Sequence, residues 1–313
     1  MKRFAYFMNP MNACQSKYFS NLTDFIPSII SKLFKNNNSK LKIHKISIKV
    51  LDNGEVIEGY FIVFPKFIEY SIGQETFIME RIIWAVDIAK KLGVDILGLG
   101  AHASILCDKG YTALRKLPIP ITSGSSYVSW SVFEAIFRVA RTKNIDLSKC
   151  CVAIKDATTA IGSLCARKLS SVVPKIILYS NDEIKLMRLK EDIIYLNSSE
   201  VTAVSNPHQA ENTASIVIKI DAGSYPLIKF KDLNLDITPS LTKIPYSVES
   251  RFSIGLPKNI IPVSLAETIL LTIEDKMADY SFGDNVNLDK IDEIADIAAR
   301  HGFEIWLPQT PAL

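Results

Sequence analysis

The stretch that most constrains the fold of this chain is residues 150–163. It opens with a β-branched, apolar run that ends at Lys155-Asp156, and small and hydroxyl residues then begin a helical pattern that continues to Leu169. This order predicts a buried strand, a tight turn and a helix N-terminus. In such a unit, glycines let the backbone approach a pyrophosphate, which lies on the exposed N–H groups of the helix start. Only Gly162 occupies a glycine position of that fingerprint.

The rest of the second half alternates between strand and helix patterns. The predicted elements are a strand at 150–155, a helix at 160–169, a strand at 175–179, a helix at 182–190 and strands near 201–204 and 215–220. Such alternation requires a parallel sheet covered on both faces. We therefore predict an α/β protein in which residues 146–262 form a Rossmann-like, doubly wound parallel sheet.

Residues 1–145 predict a separate α/β domain ahead of this sheet. Its predicted elements are a strand at 4–8, a helix at 23–34, strands at 41–50 and 55–64, a helix at 74–92, a strand at 95–99, a loop at 100–104 and a helix at 127–143. Asn53-Gly54 favours a primed turn, so the two middle strands are predicted to form a hairpin. After an irregular stretch, predicted helices at 264–280 and 287–301 close the interdomain cleft as a third segment, residues 263–313.

Composition and charge exclude several classes of protein. With 313 residues, of which 48% are apolar and 22% charged, the chain is long enough for two globular domains. The net charge of +3 is too small to indicate nucleic-acid binding. The cysteines form no Cys-x-x-Cys pair and have no histidine at ligand spacing, so neither disulfides nor a metal site is predicted. No segment has about 18 uninterrupted apolar residues, so we expect a cytoplasmic protein without a membrane span.

Six short motifs are spread along the chain. They are Gly93-Val94-Asp95-Ile96, Leu99-Gly100-Ala101-His102-Ala103-Ser104-Ile105, Ile121-Thr122-Ser123-Gly124-Ser125-Ser126, Asp221-Ala222-Gly223-Ser224-Tyr225-Pro226, Ala266-Glu267 and Arg300-His301-Gly302-Phe303. In this order and over almost the whole chain, they resemble motifs of the long-chain acyl-[acyl-carrier-protein] reductases of cyanobacteria. The resemblance implies an N-terminal acyl-binding domain followed by a cofactor domain.

The resemblance also implies a reaction. Reductases of this family form a thioester on a cysteine and use NADPH to release a fatty aldehyde, which requires a thiolate that attacks and then leaves. The family's cysteine stands two residues before Ala-Glu, and the matching residue here is Ser264. Because serine needs a base and forms a poorer hydride acceptor, reduction is expected to be impaired or altered. Ser264 is then the nucleophile or acyl acceptor, with Glu267 and the 221–226 turn as supports; the alternative is that Ser264 is a helix N-cap.

The cofactor residues that the resemblance implies lie after two strands of the predicted sheet. The family's Gly-Ala-Thr-Gly-x-Ile-Gly-Ser matches Asp156-Ala157-Thr158-Thr159-Ala160-Ile161-Gly162-Ser163, which places a carboxylate in the space for a pyrophosphate. Asn181 replaces the family's arginine for a 2′-phosphate, and Asp182 follows Gly162 by about 20 residues, the spacing for a ribose 2′-hydroxyl. NAD is therefore favoured over NADP, with Gly223 and Tyr225 completing the site. The alternative is a strand–helix connection that has lost its cofactor.

The predicted substrate residues are Ser123, Gly124, Ser125, Ser126 and His102. The family equivalent of the 123–126 turn lines the substrate region, where the backbone donors of a helix N-terminus would hold an anion or a carbonyl oxygen. The alternative is that the serines only cap the following helix. His102 is placed either over an acyl tunnel or as a hydrogen-bonded structural residue.

A basic run crosses the first helix and the hairpin of the predicted N-terminal domain. It consists of Lys32, Lys35, Lys40, Lys42, Lys45 and Lys49. It is either a solvated face or a docking surface for an acidic acyl carrier protein, because complementary charge steers such encounters. Three functions therefore stay open: an acyl-thioester-handling reductase relative, a non-catalytic acyl-binding or partner protein, and an NAD-dependent dehydrogenase of a small substrate.

Overall fold

The computed structural model describes most of the chain. The described residues are 2–8, 42–49, 56–63, 75–100, 102–109, 113–220, 225–250, 259–283 and 287–307. The predicted helix at 23–34, the Asn53-Gly54 turn and the predicted cofactor residue Gly223 lie outside them.

Strands and helices are numbered here in chain order over the described residues. The strands are β1 (Arg3–Met8), β2 (Lys42–Lys49), β3 (Val56–Val63), β4 (Ile96–Leu99), β5 (Ile121–Thr122), β6 (Cys151–Lys155), β7 (Lys175–Tyr179), β8 (Glu200–Val204), β9 (Ile216–Lys219), β10 (Leu227–Phe230), β11 (Leu235–Ile237), β12 (Leu241–Lys243), β13 (Ser247–Ser250), β14 (Ile260–Pro262) and β15 (Glu304–Trp306). The helices are α1 (Glu75–Lys91), α2 (His102–Asp108), α3 (Ser125–Lys143), α4 (Ala160–Leu169), α5 (Glu183–Leu196), α6 (Pro207–Thr213), α7 (Val263–Ile273) and α8 (Leu288–Arg300).

The first sheet contains six strands in the order β13-β2-β3-β1-β4-β5. Strand β1 is parallel to both β3 and β4, whereas β2 is antiparallel to β3, so the two predicted hairpin strands do pair. Strand β13 pairs with β2 although it belongs to the range predicted for the second domain, so the chain returns to the first sheet after leaving the second.

The second sheet also has six strands, in the order β11-β10-β9-β6-β7-β8. Strands β9, β6, β7 and β8 are parallel, and β6 lies between β7 and β9. Alternate residues of β6 face opposite sides: Ile154 joins a core with α4 and α5, while Ala153 joins a core with α6. Helices thus cover both faces, which confirms the predicted α/β class with a doubly wound parallel sheet. The antiparallel strands β10 and β11 extend one edge.

Helices α3 and α7 position the candidate site, and α3 also connects the cores of the two six-stranded sheets. The first turn of α3 contributes Tyr127 to the core of the first sheet, and its later turns contribute Val132 and Ile136 to the core of the second. Helix α7 is buried over its first ten residues, Val263 to Thr272, and packs against β1 and β4. A helix that is apolar nearly all round belongs in the centre of a fold, and α7 lies there.

Three local predictions differ from the structure. The predicted 100–104 loop becomes α2 from His102 onward. The predicted helix at 264–280 ends at Ile273, and Asp275 just beyond it has a positive φ of 59°. The stretch expected to be irregular contains β10 to β14, whose runs of three or four residues are too short for a periodic pattern. By contrast, Asn287 caps α8 as predicted, accepting a hydrogen bond from the Lys290 amide at 3.0 Å.

Candidate active site

Ser264 lies in the first turn of α7 with its hydroxyl between two tyrosines. Its Oγ is 2.7 Å from the Tyr6 hydroxyl and 3.0 Å from the Tyr225 hydroxyl. Ser264 is 6% exposed, so the cluster is enclosed. Ser264 does not cap its own helix, because the N-cap position is Pro262, which makes no side-chain cap bond. The cap reading of Ser264 is therefore wrong, and its hydroxyl belongs to a tertiary cluster that joins β1, the 225 segment and α7.

Glycines in β4 and just after it make room for the Tyr6 ring. The parallel register pairs Tyr6 with Gly98. A Cβ on Gly98 would lie 2.8 Å from Tyr6 Cδ2 and 2.1 Å from Thr268 Oγ1, and a Cβ on Gly100 would lie 2.5 Å from the Tyr6 hydroxyl oxygen. Larger residues at either position would displace the ring, so these two glycines fix where the Tyr6 hydroxyl meets Ser264.

Gly124 brings the start of α3 against the start of α7. It adopts a φ of 80°, and a Cβ there would lie 2.7 Å from Ser264 Cα. The contact is with backbone, which cannot rotate away as a side chain can. The position therefore requires glycine both for its conformation and for the close approach of the two helix starts. This is the glycine of the predicted substrate turn.

Glu267 lies about one turn after Ser264 but points to other partners. Its carboxylate accepts a hydrogen bond from the Tyr127 amide at 2.8 Å and another from the Thr122 hydroxyl. It is fully buried, and burial raises its pKa while these hydrogen bonds oppose the rise. A carboxylate at the first turn of α3 acts as a cap contributed by another helix. Glu267 thus holds α7 against α3 and does not hydrogen-bond to Ser264.

The two tyrosines next to Ser264 are kept neutral. Burial raises the pKa of Tyr225 to about 12, and burial likewise raises the pKa of Tyr6. Within the described residues, Ser264 hydrogen-bonds to no histidine, lysine or carboxylate. The pattern of a serine nucleophile with an adjacent base is therefore absent from this part of the chain. Neutral hydroxyls next to a helix N-terminus can instead donate to an acceptor oxygen.

The amides of the predicted substrate turn are bonded within the protein. The Ser125 amide donates to Ser123 Oγ at 3.3 Å, and the Ser126 amide donates to Ser281 Oγ at 3.0 Å. One acceptor, Ser123, belongs to the turn and the other, Ser281, lies outside it, while the N-cap residue Gly124 makes no side-chain cap bond. His102 begins α2, and its side chain lies outside the described part of the structure.

The predicted cofactor loop follows β6 and is tightly closed. Asp156 has a positive φ of 57°, a conformation that glycine adopts more readily. Thr159 caps α4 by accepting from the Gly162 amide at 3.1 Å, and its hydroxyl donates to the Asp156 carbonyl at 2.8 Å. A Cβ on Gly162 would lie 2.5 Å from that carbonyl oxygen. Thr159 therefore supplies the helix cap at one of the positions where the dinucleotide-binding fingerprint has a glycine.

The other predicted cofactor residues surround this loop. Ala157 donates its amide to the Tyr179 carbonyl at 2.9 Å, and the Thr158 hydroxyl lies 2.5 Å from that of Ser180. Partly buried Ile161 packs against the cores of both sheets, so the 156–162 loop lies beside the core of the first sheet. Tyr225 was predicted on the cofactor side, but its hydroxyl bonds to Ser264.

Asn181 and Asp182 follow β7. Asn181 accepts from the Tyr179 hydroxyl at 2.9 Å, and Asp182 caps α5 by accepting from the Lys185 amide at 3.0 Å. That backbone hydrogen bond lowers the pKa of Asp182. Both side chains therefore make local contacts at the carboxyl end of the sheet, the edge at which open α/β folds bind ligands.

The described residues contain neither a metal-binding group nor a membrane-spanning helix. Within them, no group of three or more histidine, cysteine or acidic side chains is arranged to hold a metal ion. Nor does this part of the chain contain a helix that is long and apolar enough to cross a membrane.

The distant relatives of this chain by sequence include an acyl-[acyl-carrier-protein] reductase and an aminotransferase. A long-chain acyl-[acyl-carrier-protein] reductase of Synechococcus elongatus is 23% identical over 80% of this chain and 83% of its own length. The aminotransferase PigE of Serratia sp. is 24% identical over 81% of this chain, which spans only 33% of that protein. This chain is similar to both. No family model matches it.

A structural comparison gives a fold of low similarity. The crystal structure of L-tryptophan dehydrogenase from Nostoc punctiforme aligns with 70% of this chain and 56% of that one, at 14% identity and a TM-score of 0.29.

Sequence reasoning missed several residues of the site. Tyr6 and Thr268 belong to runs that read only as buried strand and buried helix, and Thr122 reads as part of a turn. Their roles depend on which strand lies beside which helix, and periodicity does not carry that information. Gly98 was the one available signal, because an isolated glycine within an apolar strand indicates the close approach of another group.

Proposed function

We propose that this chain is an oxidoreductase-like protein of the acyl-ACP reductase type, which handles acyl thioesters but whose NAD(P)-dependent reduction to aldehyde is impaired or altered. The sequence similarity to the cyanobacterial reductase over 83% of that enzyme's length supports the class. The parallel sheet, with β6 between β7 and β9, supports a nucleotide cofactor, because such sheets bind ligands where the strand order reverses.

The environment of Ser264 carries the proposal. A covalent acyl-enzyme needs a nucleophile that is deprotonated or has a base beside it. Ser264 instead has two neutral tyrosine hydroxyls at 2.7 and 3.0 Å. A serine in these surroundings stays protonated, so it would bind an acyl group without attacking it. Loss of the covalent step impairs reduction but leaves binding possible.

The cofactor loop favours weak binding of NAD over NADP. Asp156 brings a carboxylate toward the space for a diphosphate, and Lys155, which would offset it, is paired with Glu211 at 2.5 Å. Asn181 offers no positive charge for a 2′-phosphate. If NAD or NADP binds, residues 156–162 would hold its diphosphate and Asp182 would face its ribose, and the cofactor would supply a hydride.

A non-catalytic acyl-binding or partner protein is the second candidate. The observation that favours it is the cap made by Thr159, whose hydroxyl accepts from the Gly162 amide that a pyrophosphate would otherwise use. In that case the core of the first sheet would bind the acyl chain, and the second sheet would serve only as a scaffold.

An acyl carrier protein is the partner that we propose for the basic run. Within the described residues, the Lys49 side chain is exposed. Lys45 forms an ion pair with Glu58, and Glu58 forms a second ion pair with Arg3 at 3.0 Å. Replacing Lys49 by glutamate is expected to weaken carrier binding and its salt dependence. Lys143, at the end of α3 outside this run, provides the matched control.

Thermal shift with NADH, NADPH and long-chain acyl thioesters tests the proposal. Ligands that bind only the native state raise the melting temperature. Stabilisation by both classes of ligand supports the reductase relative, and stabilisation by acyl thioester alone supports the binding protein. Stabilisation by dinucleotide alone supports the small-substrate dehydrogenase and contradicts an acyl site.

A further inference from the structure

We infer that the hydroxyls of Tyr6, Ser264 and Tyr225 together bind the carbonyl oxygen of a neutral ligand, a thioester or an aldehyde, through one donated hydrogen bond and without a covalent bond. The inference deepens the proposed function and rests on it, because it assigns the part of an acyl ligand that this cluster recognises. We call these three hydroxyls the hydroxyl cluster.

The number of protons in the hydroxyl cluster is the first argument. Each hydroxyl carries one hydrogen, which makes three, whereas the cluster has two contacts, Tyr6 to Ser264 and Ser264 to Tyr225. Whichever way the donors are arranged, one hydrogen remains for an acceptor outside the cluster. The described residues offer no other hydrogen-bond partner to these hydroxyls. A ligand that supplies an acceptor, rather than another donor, therefore fits.

The neutrality of the surroundings narrows the ligand class. No charged side chain of the described residues hydrogen-bonds to the hydroxyl cluster. A buried carboxylate without a cation would pay a large desolvation cost, so the free acid is disfavoured. A carbonyl oxygen carries only partial negative charge, and the N-terminus of α7 at Ser264 favours that polarity.

Thr268 gives an independent indication of a polar ligand at this place. It lies four residues after Ser264, on the same face of α7, and its side chain packs against Gly98 beside the Tyr6 ring. Thr268 is fully buried, yet its Oγ1 has no hydrogen-bond partner among the described residues. Buried polar atoms are nearly always paired, so an unpaired hydroxyl on the same face of α7 as Ser264 is consistent with a polar ligand near the Tyr6 ring.

The test compares two ligands that differ only in the carbonyl. Affinities of the full chain are measured for a long-chain acyl-pantetheine thioester and for the S-alkyl thioether of the same length. We expect the thioester to bind about fivefold to tenfold more tightly, the gain from one buried hydrogen bond. The free fatty acid of the same length is expected to bind more weakly than the thioester.

Variants of the hydroxyl cluster assign the preference to it. Each tyrosine hydroxyl that is removed also removes one contact within the cluster, so a single tyrosine variant still has one free hydrogen. The variant that lacks all three hydroxyls, Tyr6→Phe with Ser264→Ala and Tyr225→Phe, should abolish most of the thioester preference. The matched control is Tyr127→Phe, which removes another buried tyrosine hydroxyl of the same core, one that bonds to Thr242 at 3.0 Å, and should keep the preference. The inference is overturned if wild type binds both ligands equally tightly, or if Tyr127→Phe changes the preference as much as the variant that lacks all three hydroxyls does. If neither ligand binds, the proposed function fails as well, so the two failures are distinguishable.

Discussion

The Ser264 hydroxyl lies 2.7 Å from the Tyr6 hydroxyl although 258 residues separate them in the chain. Tyr6 belongs to β1, a central strand of the first sheet. Ser264 belongs to α7, which follows all strands of the second sheet in the chain. The candidate site is therefore assembled from both ends of the chain. Its chemistry follows from which residues surround Ser264 and not from Ser264 alone.

Replacing Ser264 by cysteine should restore a covalent step. A thiol is intrinsically more nucleophilic than a hydroxyl and makes a better leaving group toward hydride. Incubation of the variant with a long-chain acyl thioester is expected to give an acylated protein by intact mass spectrometry.

Ser264→Ala is the matched control for this variant, because it removes the hydroxyl without adding sulfur. It should stay unacylated under the same conditions. If Ser264→Cys binds the thioester and remains unmodified over hours, the proposed match between Ser264 and the nucleophilic cysteine of the acyl-ACP reductases is wrong.

Gly124→Ala should destabilise the protein by about 2 kcal/mol or more, because it adds both a positive-φ penalty and a clash with the Ser264 backbone. Gly302 provides the control: it has a φ of 65°, but its nearest neighbour would be the Pro245 side chain at 3.3 Å. Gly302→Ala should therefore cost roughly 1 kcal/mol from conformation alone. Urea denaturation measures the loss in free energy of unfolding for both variants. Equal losses would show that the starts of α3 and α7 do not meet as described.

Glu267 predicts a pH-dependent contribution to stability. Because burial raises its pKa in the folded state, the native protein holds this proton more tightly than the unfolded chain does. Stability from this group is therefore present at low pH and is lost as the pH rises through the raised pKa. Relative to wild type, Glu267→Gln should gain free energy of unfolding as the pH increases from the ordinary carboxyl range. A difference that is constant with pH would contradict the assignment.

Glu267→Ala should behave differently from the glutamine variant. It leaves the buried Tyr127 amide and Thr122 hydroxyl without their acceptor, which costs about 2–3 kcal/mol. Denaturation at one pH distinguishes the two variants. Equal stability of the alanine and glutamine variants would mean that the carboxylate does not cap α3.

Asp156→Gly should strengthen dinucleotide binding. The change removes a carboxylate from the loop that we propose for the diphosphate and suits the positive φ of 57°, so the NADH dissociation constant should fall roughly fivefold to tenfold. Asp275→Gly is the control, since Asp275 has nearly the same φ of 59° but lies after α7, away from the loop. If both variants bind NADH as tightly as wild type does, the Asp156 carboxylate does not limit NADH binding.

The sequence predicted what depends on local pattern. The β6–α4 unit, the paired strands β2 and β3, and the Asn287 cap all follow from signals within a few neighbouring residues, and the structure contains each. The short strands β10 to β14 were not predicted, because three or four residues do not establish a period. The length of the last helices was overestimated where Asp275 turns the chain.

The site was predicted only where a motif marked it. Ser264 and Gly124 were both identified, and the structure brings them into contact. The partners of Ser264 were not identified, because nothing in the sequence distinguishes Tyr6 from its apolar neighbours in β1. Glu267 was predicted as a support for Ser264, and its fully buried carboxylate accepts a hydrogen bond from the Tyr127 amide in the first turn of α3.

The most direct measurement of the central claim mixes the unmodified protein with a long-chain acyl thioester and NADH or NADPH, and follows protein mass, aldehyde and reduced cofactor together. The account predicts saturable binding of the thioester, an unchanged protein mass and neither aldehyde nor cofactor oxidation. An acylated form of the wild-type chain, or cofactor oxidation that matches aldehyde release, would contradict it.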